Sequence, residues 1–235
     1  MTKDLQSPDL PLSRSTHPFI PPSPVPVPAW VESTGVTAVV RLDDLSRAGL
    51  LADALLAGGV RCIEFTLTNR EAVAVIEQVR KSHGERMLVG AGTVLDPESA
   101  RAAITAGAQF VVTPTLRVST IELCRRYSTP ILCGAFSPTE ILTAWEAGAD
   151  WVKLFPASAG GPRYLREIAG PLPQIKLIPT GGVSLDNAGE FIAAGAVAVA
   201  VGSNLVKASQ VATGAWEEIT TAARRFIEAV AAARR

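Results

Sequence analysis

The stretch DWVKLFPAS, Asp150 to Ser158, sets a lysine inside a run of aromatic and aliphatic side chains. The lysines of the chain are Lys3, Lys81, Lys153, Lys176 and Lys207, and Lys153 alone has apolar neighbours on both sides within strand-like sequence. An ordinary lysine, with a pKa of about 10.4, is a free amine in about one molecule in 2,500 at pH 7. Burial disfavours the ammonium, and a pKa of about 7 to 8 raises the nucleophilic fraction on the order of a hundredfold. Lys153 is therefore a candidate covalent catalyst. Its amine can condense with a keto group, and the protonated imine becomes an electron sink for a neighbouring carbon–carbon bond. The competing reading is a lysine at a strand end that snorkels to solvent.

Imine chemistry needs a proton shuttle, and Glu64 in CIEFTLT is the candidate, an acid inside an apolar strand where desolvation raises its pKa. The alternative for Glu64 is an ion pair with Arg41 or Lys153. A second signal is anionic. IPTGGVS and AVGSNLV place Thr180, Gly181, Gly182, Gly202 and Ser203 at the ends of two late strands, and SAGGPRYL adds Gly160 and Gly161 just after the Lys153 strand. Glycine lets backbone N–H groups approach a phosphate closely. Thr93, behind the glycines of VGAGTV, is placed to hold a carboxylate, and Arg41 can add a charge-assisted contact or pair with Glu64. Thr68, and Pro114 at the end of FVVTP, complete the candidate substrate contacts. His17 and His83 stand in the N-terminal segment and in RKSHGE, so no histidine cluster offers a metal site, and no cofactor is expected.

These residues must be carried by a repeating scaffold. From Val36 onward, short apolar runs alternate with amphipathic stretches often closed by glycine. The predicted strands are TAVVRL, CIEFTL, MLVGAG, FVVTP, PILCG, WVKLF, KLIPT and VAVAVG. Eight units at spacings on the order of 21 to 26 residues fit an α/β fold of one (β/α)₈ TIM barrel. A doubly wound sheet would usually carry G-x-G-x-x-G after its first strand, and none is present. Alternation along a strand puts Cys62, Glu64, Thr66 and Thr68 on the inward face, and groups Trp151, Lys153 and Phe155 likewise. Asp96-Pro97 and SPTE carry helix-start signals.

The chain has 235 residues, is 48% hydrophobic and has a formal net charge of +0. That length suits one barrel over residues 31–235, behind a Pro-rich arm over residues 1–30 that is expected to be extended or disordered. Pro21 and Pro24 form a P-x-x-P spacing that could dock in an aromatic groove, against the simpler reading of a passive tail. With mixed charges and no long apolar run, neither nucleic acid nor a membrane is an expected partner. Cys62, Cys124 and Cys133 are odd in number and widely spaced, which points to reduced thiols and a cytoplasmic location.

The ordered set IEFTLTN, VGAGTV, GAQFVVTPTL, GAFSPTEI, VKLFPAS, GGPRYL, IPTGGVS and AVGSNLV resembles the 2-keto-3-deoxy-6-phosphogluconate (KDPG) / 4-hydroxy-2-oxoglutarate (KHG) aldolases over about residues 36 to 230. That resemblance implies a class I, metal-independent lyase on a (β/α)₈ barrel, a homotrimer, cleaving a 2-oxo acid to pyruvate and an aldehyde as in the Entner-Doudoroff pathway. It implies Lys153 as the Schiff-base residue, Glu64 as general acid/base, Thr93 on the pyruvyl carboxylate and the TGG and GS turns on phosphate. Some members have arginine where this chain has Thr68, and Arg41 is the expected substitute. Cys133 stands where proline is usual, and the Pro-rich arm is expected to replace the short helix that often precedes the first strand. Two alternatives stay open: decarboxylation of oxaloacetate through the same imine, and a phosphate-binding isomerase or synthase that uses Lys153 only as a charge.

Overall fold

The computed structural model describes residues 27–235, so His17 and the Pro21/Pro24 spacing lie outside the described residues. The strands are β1 (Val36–Val40), β2 (Cys62–Thr66), β3 (Leu88–Gly92), β4 (Phe110–Val112), β5 (Ile131–Ala135), β6 (Trp151–Leu154), β7 (Leu177–Pro179) and β8 (Val199–Val201). All pair in parallel in the order β7-β6-β5-β4-β3-β2-β1-β8. The seam between β7 and β8 is closed by the Thr180↔Ala200 bridge and by Val197 N donating to Leu177 O at 3.1 Å. Each predicted strand thus exists, and together they form the expected eight-stranded α/β barrel.

Parity decides what each strand residue meets. Cys62, Leu88, Phe110, Leu132, Trp151 and Ile178 form one apolar cluster inside the barrel, while Ile63, Phe65, Val152 and Leu154 belong to the layer between sheet and helices. Interior volume is matched by small residues. A Cβ on Gly90 would lie 2.5 Å from the Phe110 ring, so the glycine makes room for the aromatic.

The helices that wrap the sheet are α2 (Ala48–Ala57), α3 (Ala72–His83), α4 (Pro97–Thr105), α5 (Val118–Arg126), α6 (Pro138–Glu146), α7 (Gly161–Ala169), α8 (Ala188–Ala193), α9 (Ala208–Thr213) and α10 (Trp216–Ala233). Their starts follow the predicted chemistry where caps are strong. Asp96 accepts from Ser99 N at 2.6 Å to open α4, and Ser137 with Glu140 forms a reciprocal capping box on α6. Among the described residues, no helix is long and apolar enough to cross a membrane.

One element departs from the sequence reading. Val27–Thr34 form a helix, α1, where the arm was expected to run to residue 30 and to replace any helix before β1. Pro28 is the second residue of α1, and in a first turn the missing N–H costs nothing because no intrahelical acceptor exists there. Val31 is buried in the interior cluster, so α1 closes the N-terminal end of the barrel. Glu32 Oε1 accepts from Lys176 Nζ at 2.6 Å and from Trp151 Nε1 at 3.1 Å, which ties α1 to the floor beneath Lys153. From the far end of the chain, Arg234 donates to Glu32 O at 2.6 Å, Ser33 O at 3.0 Å and Val197 O at 2.7 Å. The first two are carbonyls that the last turn of α1 leaves unsatisfied, and the third lies just before β8. Replacing Arg234 by Ala is expected to cost about 1 to 2 kcal/mol in urea unfolding; an unchanged midpoint would mean that solvent satisfies those carbonyls equally well.

Candidate active site

Lys153 is the third residue of β6, opposite Gly134 of β5 and Ile178 of β7. Strand parity turns it inward, and it is only 5% exposed, which removes the snorkelling alternative. The backbone of Pro114 passes over Gly134: a Cβ there would lie 2.3 Å from the Pro114 carbonyl carbon. Gly134 thus lets the β4 loop close against the strand beside Lys153. Above the lysine, a cavity of about 360 Å³ is lined by Val39, Arg41, Lys153, Phe155, Thr180, Gly181, Gly182, Val183, Gly202, Ser203, Asn204, Val206 and Ala208. Seven of the sequence-predicted residues, Arg41, Lys153, Thr180, Gly181, Gly182, Gly202 and Ser203, therefore meet at one mouth.

Glu64 comes up from the interior of β2 and is 1% exposed. Its Oε2 is buried without a hydrogen-bond partner, which leaves the carboxyl free to exchange a proton with a bound molecule. It fits because residue 92 has no side chain. A Cβ on Gly92 would lie 2.8 Å from the Glu64 carboxyl carbon. Burial pushes the Glu64 pKa up, opposed by the positive charges of Lys153 and Arg41. Burial pushes the Lys153 pKa down, with the carboxylate of Glu64 opposing and Arg41 reinforcing the shift. Both groups are driven toward their uncharged forms, and among the described residues no ion pair joins Lys153, Glu64 or Arg41. The Lys153 Nζ also lies 5.1 Å from the centre of the Phe155 ring. A ring face favours an ammonium by about 0.5 to 2 kcal/mol, less than the several kcal/mol that burial of an unpaired charge costs.

The glycine turns supply the opposite kind of group. Gly181 and Gly182 have φ of 88° and 77°, in the left-handed region that favours glycine. The carbonyls of Thr180 and Gly181 accept from Ala157 N at 2.8 Å and Ser158 N at 3.0 Å, which holds the turn against the end of the lysine strand. Among the described residues, the N–H groups of Gly181, Gly182, Ser203 and Asn204 make no backbone hydrogen bond. Donors without acceptors at a cavity wall suit an anion. The Thr180 hydroxyl, on the same wall, is buried and likewise unpartnered.

Other predicted residues stand near this mouth without lining it. Thr93 follows β3 directly with φ of 55°, a strained conformation for a β-branched residue. Thr68 hydrogen-bonds Thr66 at 2.8 Å and shares a neighbouring groove with Arg41. Gly160 is covered by Tyr164, and Gly161 starts α7 with open space around it. Pro114 acts on the cavity only through the packing at Gly134. Sequence reasoning missed Asn204 and Val183. Asn204 Nδ2 donates to Val183 O at 2.8 Å and so stitches the β8 loop to the β7 loop. Its position just after Ser203 in the same predicted loop was the available signal. The thiols of Cys62 and Cys124 are pushed up to about 12 by burial, so neither competes with Lys153 as a nucleophile at neutral pH.

The family model for KDPG and KHG aldolase matches residues 27–222. The chain belongs to that family. It is similar to the 2-dehydro-3-deoxy-phosphogluconate aldolase of Treponema pallidum, 37% identical over 201 residues that cover 85% of this chain and 95% of that one. It is also 37% identical over 194 residues to the KHG/KDPG aldolase of Escherichia coli K12, covering 82% and 91% of the two chains. The solved KDPG aldolase of Legionella pneumophila, with pyruvate captured at low pH as a covalent carbinolamine intermediate, superposes with a TM-score of 0.79. It is 30% identical, over 84% of this chain and 96% of that one.

The packing of Gly92 on Glu64 gives the aldolase fold a sharp test. Gly92 does not need a positive φ, so Gly92→Ala adds only a contact with the carboxyl group. Displacing that group by an ångström is expected to lower kcat for aldol cleavage about 100-fold while Lys153 remains accessible to carbonyl reagents. Unchanged turnover would show that Glu64 is not the proton shuttle.

Proposed function

We propose that this protein is a class I aldolase that cleaves a 2-keto-3-deoxy-6-phospho sugar acid, or 4-hydroxy-2-oxoglutarate, reversibly to pyruvate and an aldehyde. The observation that carries the reading is the buried Lys153 amine sharing the barrel interior with the buried Glu64 carboxyl, beneath a mouth of unpaired glycine N–H groups. The names of the relatives and the trapped carbinolamine in the Legionella enzyme support it.

The Lys153 amine adds to the C2 carbonyl, and the oxygen takes up a proton to give a carbinolamine. Glu64 protonates the departing hydroxyl, so that water leaves, a protonated imine forms and Glu64 is left as carboxylate. Glu64 as carboxylate removes the C4-hydroxyl proton, the C3–C4 bond breaks, and its electron pair moves through C2 to the nitrogen as an enamine. C4 leaves as the aldehyde. Glu64 returns its proton to C3, and water hydrolyses the resulting imine to release pyruvate and the free amine. Glu64 must therefore alternate between acid and base, and a pKa raised toward neutrality suits both halves. The unpaired N–H groups of the TGG and GS turns would hold the phosphate, and Arg41, the free cation at the mouth among the described residues, would anchor an anionic end of the substrate. Thr93, just after β3, would meet the pyruvyl carboxylate. No external cofactor enters any step.

The same reading carries a cytoplasmic homotrimer. Three unpaired cysteines suit a reducing compartment, and the exposed apolar side chains Leu95, Val118 and Phe136, in the segments that follow β3, β4 and β5, suit association.

Incubation with pyruvate and borohydride should leave one stable adduct, on Lys153, detected by mass spectrometry, and Lys153→Met should abolish it together with turnover. An unmodified Lys153 in an active enzyme would support the isomerase or synthase alternative. Glu64→Gln should still form the adduct, while cleavage falls about 10² to 10⁴-fold. The pH dependence follows from the signs. The Glu64 carboxylate raises the Lys153 pKa, so its removal lets the amine deprotonate at lower pH, and the acid limb of adduct formation moves down. A limb that moves up would contradict the electrostatic account.

A further inference from the structure

Arg41 is the charged residue of the mouth whose placement is least determined by its own contacts. Among the described residues its guanidinium makes neither a hydrogen bond nor an ion pair, and it borders two spaces. One is the Lys153 cavity. The other is a groove of about 510 Å³ formed with Leu42, Asp43, Thr68, Asn69, Arg70 and Glu71, where two carboxylates offer a competing partner. The backbone that carries Arg41 therefore decides which space the cation serves.

That backbone is held from the side by Asn69, in the turn between β2 and α3. Its Nδ2 donates to Leu42 O at 3.1 Å and to Asp43 O at 2.9 Å, the two carbonyls directly after Arg41. Its Oδ1 accepts from Glu71 N at 2.8 Å, which fixes the amide orientation so that both donors face the β1 loop. The far end of the same loop is held separately, by Arg47 Nη1 donating to Val211 O at 3.2 Å and Ala212 O at 3.1 Å. Asn69 is thus the tie nearest the cation.

We propose that Asn69 is a positioning residue for Arg41: it clamps the β1 loop to the β2 turn so that the guanidinium stays on the cavity side and holds the anionic substrate. The inference rests on the reading of Arg41 as an anchor for a substrate anion. Its test is a double-mutant cycle on the full chain, with a 2-keto-3-deoxy-6-phospho sugar acid as substrate. Asn69→Ala should raise KM about five- to tenfold, the loss of one to two hydrogen bonds' worth of placement, with kcat within about twofold and the pyruvate adduct on Lys153 unchanged. Asn69→Asp keeps the acceptor for Glu71 N but removes both donations, and should behave the same way if Asn69→Ala fails to fold. In the Arg41→Ala background, Asn69→Ala should add less than about a twofold change. An equal rise in KM with and without Arg41, or no rise in its presence, overturns the proposal. If Arg41→Ala alone leaves KM unchanged, it is the anchor reading that fails, and the two failures are told apart.

Discussion

A lysine and a glutamate are taken out of water at one end of a barrel, and the two are not allowed to neutralise each other by direct pairing. In most interiors such groups would be a defect, since burying an unpaired charge costs several kcal/mol. Under the proposed chemistry that cost would be the functional device. Burial pushes the Glu64 pKa up and the Lys153 pKa down, the directions that carbonyl capture and proton return would require. The positive charge of Arg41 lowers both pKa values, which reinforces the shift on the amine and opposes it on the carboxyl.

The rest of the barrel can be understood as support for that arrangement. The (β/α)₈ topology brings residues distant in sequence to one rim, because every strand points the same way and its inward parity ends at the same mouth. Glycines are spent where backbone or side chains must come close: Gly92 for the Glu64 carboxyl and Gly134 for the Pro114 loop, while Gly181 and Gly182 take the left-handed turn at the cavity wall. Below, α1 seals the opposite end, and Glu32 ties it to Trp151 two residues before the lysine. A water-filled floor would lower the desolvation on which the amine depends. Under the proposed chemistry, sealing the floor would therefore support the amine.

Much of this was legible from residue pattern alone. The eight strands, their parity, the convergence of Glu64 with Lys153 and the glycine turns after β7 and β8 all follow from short-range rules: period-two alternation, glycine at strand ends, and caps such as Asp96 and Ser137. What escaped was set by longer-range packing. Helix α1 was hidden because residues 1–30 were read together as a Pro-rich extended arm, although a proline in the first turn, as at Pro28, is compatible with a helix. Thr68, Thr93, Pro114, Gly160 and Gly161 were expected as substrate contacts from their places at strand ends, and none of them lines the Lys153 cavity. Which rim residues face the lysine depends on loop conformations, such as the left-handed Thr93 and the Tyr164 ring over Gly160, that alternation does not encode. Asn204 and Asn69 were passed over for a related reason. Both act through backbone carbonyls of a neighbouring loop, and such partners leave no trace in local sequence.

The account stands on the protonation state of one nitrogen. Carbon-13 labelling of the lysines, followed by an NMR titration of their side-chain carbons with a Lys153→Met sample for assignment, reads that state directly. The prediction is that Lys153 loses its proton well below the ordinary lysine value of about 10.4. If Lys153 instead loses its proton near that ordinary value of about 10.4, burial does not deliver a free amine and the central claim is wrong.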